Sequence, residues 1–177
     1  DVRLTVNSAV SSLPSIVADL QNRVHVVWAD YRDGNSEIYY TKLDSSGTTL
    51  VEDKRVTDNP SISWFPSLTV DESGANAVWL EGRNANNEIY YALLNSTGDP
   101  ANGTMRLVSD TADSSLPSIA ASSGIIHVVW EESRDGNREL YYRRSSNLAP
   151  AIVSPPVTKA FASSLYQYAV EASDPDN

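Results

Sequence analysis

Residues 24–40 read Val-His-Val-Val-Trp-Ala-Asp-Tyr-Arg-Asp-Gly-Asn-Ser-Glu-Ile-Tyr-Tyr. Two runs rich in β-branched and aromatic residues, ending at Trp28 and beginning at Glu37, flank the dipeptide Asp33-Gly34. Such runs favour strands. Asp-Gly between them marks a tight hairpin, because both positions tolerate positive φ. Val26 and Trp28 point to one face and Val27 to the other, so this sheet is expected to be buried on both sides.

The stretch recurs. Trp28, Trp79 and Trp130 are 51 residues apart, as are Arg32, Arg83 and Arg134, then Asn35, Asn86 and Asn137, then Glu37, Glu88 and Glu139. The doublets Tyr39-Tyr40, Tyr90-Tyr91 and Tyr141-Tyr142 follow, and Pro14, Pro66 and Pro117 keep the period within one residue. Each copy reads as four short strands. The first begins at Pro-Ser-Ile/Leu (14–16, 66–68, 117–119), the second ends on Trp, and the third begins at Glu. The fourth is Arg3-Leu4-Thr5, Arg55-Val56-Thr57 or Arg106-Leu107-Val108. Four antiparallel strands per repeat of this length predict an all-β fold of β-propeller blades. The phase begins on a fourth strand and ends on a third. Closed propellers need about four to eight blades. The expectation is therefore either a homodimer closing a six-bladed ring or a segment of a longer chain with more blades.

These blade motifs resemble the repeats of TolB-like propellers and the sialidase-like repeats of secreted surface proteins, over residues 1–146. Ser133-Arg134-Asp135-Gly136 lacks the spacer that the sialidase Asp-box Ser-x-Asp-x-Gly carries before its Gly. From Asn147 the composition becomes Pro-rich and the repeat stops, so 147–156 reads as a linker. Asn147-x-Ala-Pro-x-Ile152, then Tyr166-x-Tyr-x-Val-x-Ala172-x-Asp-Pro-Asp-Asn177, resembles the opening of a cadherin-like, immunoglobulin-fold module. That resemblance implies a second, truncated β-sandwich domain over 147–177, with calcium ligands at Asp174 and Asp176. No other cofactor is expected.

The net charge is −10 with no basic patch, which argues against a nucleic-acid partner. Without cysteine there is neither disulfide nor thiolate metal site. No apolar run of about 18 residues is present, so no membrane span is expected in this segment. Asp1 opens without a charged-then-apolar leader, so a signal peptide is expected to have been removed or to lie outside it. Two Asn-x-Ser/Thr acceptors, at Asn95 and Asn102, share one polar loop. An extracellular, cell-surface or periplasmic location is expected.

Asp30, Glu81 and Glu132, Arg32, Arg83 and Arg134, and Glu37, Glu88 and Glu139 could line a ligand site. Their identical repetition favours a structural clamp in which each Arg bridges two carboxylates across the hairpin. The loop from Asp30 to Ile38 has calcium-loop spacing, but Arg32 occupies a ligand position with its own cation. His25 and His127 share one strand position with Asn76, which reads as structural rather than catalytic. No Gly-x-Ser-x-Gly elbow is present. No catalytic residue is assigned. Trp64 and Phe65, where the other copies have Ser-Leu, are the candidate ligand-binding residues for a glycan or protein. The expected function is a non-catalytic binding or scaffolding module of a secreted or surface protein. The alternatives are a sialidase-like glycoside hydrolase whose site other blades complete, and a periplasmic TolB-like scaffold.

Overall fold

The structure, a computed structural model, describes residues 1–83, 86–108, 111–146, 151–152 and 172–173. The described elements are all strands. Strands β1 (Ser11–Ala18), β2 (Val24–Asp30), β3 (Glu37–Leu43) and β4 (Thr49–Arg55) form one antiparallel sheet in chain order. Strands β5 (Ser63–Asp71), β6 (Gly74–Arg83), β7 (Asn86–Leu94) and β8 (Met105–Arg106) form a second. Strands β9 (Ser114–Ser122), β10 (Ile125–Glu132) and β11 (Glu139–Ser146) form a third, in which β10 lies in the middle. The repeat sets the register in every sheet: Trp28 lies opposite Tyr39, Trp79 opposite Tyr90, and Trp130 opposite Tyr141.

The three sheets stack in chain order. Their first strands neighbour one another, β1 beside β5 and β5 beside β9, so these edges converge on the inner side. The repeated Pro-Ser motif ties them together: Ser15 Oγ accepts the Leu68 N–H (3.1 Å), and Ser67 Oγ accepts the Ile119 N–H (3.3 Å). Val27, Ile38 and Tyr40 of the first sheet pack with Ala77, Trp79 and Tyr90 of the second. Val78 and Ile89 on the far face of the second then pack with Ile119, Val128 and Trp130 of the third. The central strands of the second sheet, apolar on both faces, thus have a neighbouring sheet on each side. The corresponding face of the third sheet, Val129, Leu140 and Tyr142, is exposed.

Each inner strand begins with a bulge. Leu13, Phe65 and Leu116, each just before the repeated Pro, have φ of 52°, 50° and 48°. The ladder shifts register at the same place in all three sheets. A left-handed non-glycine residue costs on the order of 1–3 kcal/mol, so its threefold recurrence marks a built feature of the blade.

The fourth strand lies upstream of where the Arg motif suggests. Strand β4 ends on Arg55 and β8 on Arg106, with the rest of each motif beyond the strand. Arg3-Leu4-Thr5 lies in no strand among the described residues. The local geometry is nevertheless the same three times: Arg3, Arg55 and Arg106 each donate Nε–H to the carbonyl two residues on, at 2.7, 2.8 and 2.7 Å. A strand needs a ladder partner, and the third strands β3 and β7 supply it for Arg55 and Arg106 alone. The Asp-Gly connection is looser than a tight hairpin. Residues 31–36 separate β2 from β3, with Gly34 at φ 96° closing a Tyr31–Gly34 turn. In the middle copy the ladder continues to an Arg83–Asn86 pair.

Ala151–Ile152 pairs antiparallel with Ala172–Ser173. The remainder of the expected second module, Asp174 and Asp176 included, lies outside the described residues. No helix of the described residues is long and apolar enough to cross a membrane.

Candidate functional site

At one end of the blades, pairing places carboxylates directly opposite one another: Asp30 faces Glu37, Glu81 faces Glu88, and Glu132 faces Glu139. Like charges so placed repel, and all but Glu139 are buried. Two sets of arginines answer this. Arg32 forms a fork on Asp30 (3.0 and 2.8 Å), and Arg134 does the same on Glu132 (2.6 and 2.8 Å). Arg83 pairs with Glu81. The opposing carboxylates are held from the fourth strand, Glu37 by Arg55 (3.1 Å) and Glu88 by Arg106. Arg32 does not reach Glu37; its second partner is Asp53, at 2.8 Å. The tryptophan of each copy donates its indole N–H to the same carboxylate as the fork: Trp28 to Asp30, Trp79 to Glu81, Trp130 to Glu132. Each fork arginine also lies over the opposing tyrosine ring, at 4.2, 5.0 and 4.0 Å.

The electrostatics follow. Burial alone would raise the Asp30 carboxyl, but hydrogen bonds from Arg32, Trp28 and Ser11 outweigh it and hold it well below the usual carboxylate range. The bond to Asp30 raises the Arg32 guanidinium. The hydrogen bond to Asp135 leads in pushing the Tyr141 phenol up to about 12. Arg55, Arg106 and Thr57, which donates to Glu37, were not singled out from sequence. The Arg spacing was the visible signal for the first two.

Two aromatic residues break the repeat here. Trp64, at the start of β5, donates its indole N–H to the Tyr31 hydroxyl at 2.7 Å. The rings lie 6.5 Å apart, and Phe65 meets Trp64 edge-on at 6.2 Å. Tyr31 was missed from sequence because it stands in a turn otherwise read as structural. In the third sheet another departure, Arg138, donates to both Glu131 and Ser115 at 2.9 Å.

At the opposite end lies a cleft of about 770 Å³, lined by residues including Asp19, Arg23, His25, Lys42, Asp71 and Glu72. His25 Nε2 lies 3.2 Å from Asp19, and its Nδ1 lies 2.8 Å from the Tyr40 hydroxyl. An ionised carboxylate only accepts, so Nε2 carries the proton, and neutral Nδ1 accepts from Tyr40. Burial lowers His25, against the pull of Asp19. Burial would raise Asp19, but bonds from Arg23, His25 and the Gln21 N–H outweigh it and hold it well below its ordinary value. Burial also lowers Lys42, whose ammonium donates to the Ser96 carbonyl at 2.8 Å. The other copies repeat the inner part of this arrangement, His127 with Tyr142 and Asn76 with Tyr91. Among the described residues no group of three or more His, Cys, Asp or Glu could hold a metal ion.

No protein-family model and no curated protein sequence matches the chain. Solved structures do. An α-L-arabinofuranosidase from Clostridium thermocellum has a TM-score of 0.53 at 19% identity, covering 77% of this chain and 47% of its own. An endo-arabinanase from Bacillus licheniformis has a TM-score of 0.52 at 17% identity, covering 76% and 51%. An endo-arabinase from Bacteroides thetaiotaomicron has a TM-score of 0.54 at 13% identity, covering 78% and 57%. The fold is that of a β-propeller. The chain spans about half the length of the first two of these structures. At such identities the likeness establishes architecture. It supports neither TolB-like nor sialidase-like repeats, nor a cadherin-like module.

The same finding corrects the expectation of a non-catalytic binding or scaffolding module. The propellers resembling this chain are glycoside hydrolases of family 43, which stand closer to the alternative of a hydrolase. The physical reason lies in the repeat. Residues employed in every blade report only on the blade, and their structural employment says nothing against a catalytic site built elsewhere on the ring.

Proposed function

We propose that this chain is part of a propeller glycoside hydrolase acting on an arabinose-containing polysaccharide. The observation that carries the reading is the likeness to arabinan-cleaving and arabinofuranoside-cleaving propellers over about three quarters of the chain. Glycoside hydrolysis needs two carboxyl groups flanking the scissile bond. The described inner strands β1, β5 and β9 carry one carboxylate, Asp71, at the end of β5. One carboxylate does not make a pair, so on this reading at least one member of the catalytic pair comes from outside these strands. The neighbours are five-bladed, which favours two further blades over a six-bladed ring of two copies. An extracellular or cell-surface location fits an enzyme that meets a polymeric substrate.

The test uses the protein carrying this chain and a panel of aryl glycosides. The proposal predicts release of the aryl group from the α-L-arabinofuranoside and not from the sialoside. No release from the arabinofuranoside, or release from the sialoside alone, contradicts it.

A further inference from the structure

We propose that Tyr31, Trp64 and Phe65 form an aromatic platform against which a neutral sugar ring of the polysaccharide stacks, an inference that rests on the hydrolase reading above. The repeat itself supplies the control. At the position of Tyr31 the other copies have Gly82 and Ser133, and at the position of Trp64 they have Ser12 and Ser115. The blade folds without an aromatic side chain at either place. Yet the two departures, 33 residues apart and on different sheets, meet through the 2.7 Å bond from indole to phenol.

Packing between blades does not account for the pair. Trp28, Trp79 and Trp130, the packing tryptophans, are 3%, 0% and 5% exposed. Trp64 and Phe65 are half-buried, and Tyr31 is 36% exposed. The group sits where the inner strand β5 begins, beside the turn that carries Arg32. That is the converging side of the sheets, where a chain crossing the ring would pass.

The chemistry selects the ligand. One face of a sugar ring presents C–H groups that are apolar and slightly positive, matching the negative face of an aromatic ring. Trp64 has committed its N–H to Tyr31 and is braced by Phe65, so little side-chain freedom remains to be lost on binding. The Tyr31 hydroxyl accepts from Trp64 and keeps its own proton to donate to a sugar hydroxyl. A net charge of −10 disfavours acidic glycans, leaving neutral sugars as the matching class.

The experiment measures calorimetric affinity for linear arabino-oligosaccharides and xylo-oligosaccharides, with wild type, Trp64→Ser and Tyr31→Ser. Both substitutions install residues found at the same place in other copies, so folding is retained and thermal melting verifies it. Wild type should bind at least one series, and Trp64→Ser should bind it about tenfold or more weakly, with Tyr31→Ser intermediate. Affinity of Trp64→Ser within twofold of wild type, or no wild-type binding to either series, overturns the platform. Turnover of the aryl arabinofuranoside by wild type is read separately. Turnover with unchanged Trp64→Ser affinity sinks the platform and leaves the hydrolase. Weakened affinity without turnover sinks the hydrolase and leaves the platform.

Discussion

Arg32 holds Asp30, one of two buried carboxylates that face each other across a hairpin, and Arg55 holds the other, Glu37. Removing one partner of a buried pair leaves an uncompensated charge and costs about 3 kcal/mol. Arg32→Ala should therefore lower stability by about that much in urea titration. Arg138→Ala, which removes an ion pair from a side chain 65% exposed, should change it by less than about 0.5 kcal/mol. Equal effects would contradict the assignment of the fork. His25 gives a second prediction. Its folded value is depressed below the ordinary 6.5, so neutral His25 stabilises the fold above that pH, and the contribution is lost as pH falls through the folded value. The depressed carboxyls Asp19 and Asp30 add a further loss below about pH 4. His25→Asn copies Asn76, which receives the same tyrosine bond, and Asp19 keeps Arg23. The variant should lose less stability between pH 7 and 5 while keeping the loss below pH 4. A slope parallel to wild type would refute this. The repeated carboxylates and arginines were visible in the sequence, but Arg32 does not bridge Asp30 and Glu37 as their spacing suggested. Their partners were not visible, because spacing along the chain does not reveal that Arg55 enters from the fourth strand.

At the scale of elements, the 51-residue period made strands two and three readable, since their apolar pattern and their burial share one cause. The ends of elements were less readable. The turn at Gly34 keeps φ 96°, and a Cβ placed there meets nothing within 4 Å. Any cost of Gly34→Ala is therefore backbone strain, about 1 kcal/mol or more, visible as a lowered melting temperature. An unchanged melting temperature would show that the turn relaxes. Trp79 is fully buried between the first two sheets, and Trp79→Ala should cost about 3–5 kcal/mol, checked by urea titration. A loss below 1 kcal/mol would mean the sheets do not pack as described. The bulges at Leu13, Phe65 and Leu116 could not be foreseen. A residue before proline is expected to be extended, and the positive φ at all three positions, with the register shift beside it, shows otherwise.

At the scale of the whole molecule, what the sequence repeats and what the protein does are separate layers. Three copies of one blade specify stacking, and in the platform proposed above function is carried by residues that escape the copying, Tyr31 and Trp64. Reading the repeat alone led to a non-catalytic module because every repeated polar residue had structural employment. That inference fails in a ring, where one set of blades can hold the catalytic carboxylates and another the substrate. The hydrolase reading is decided by product analysis after incubating the protein carrying this chain with arabinan. It predicts shortened arabino-oligosaccharides or free arabinose accumulating with time. An arabinan of unchanged chain length and no released sugar would contradict it.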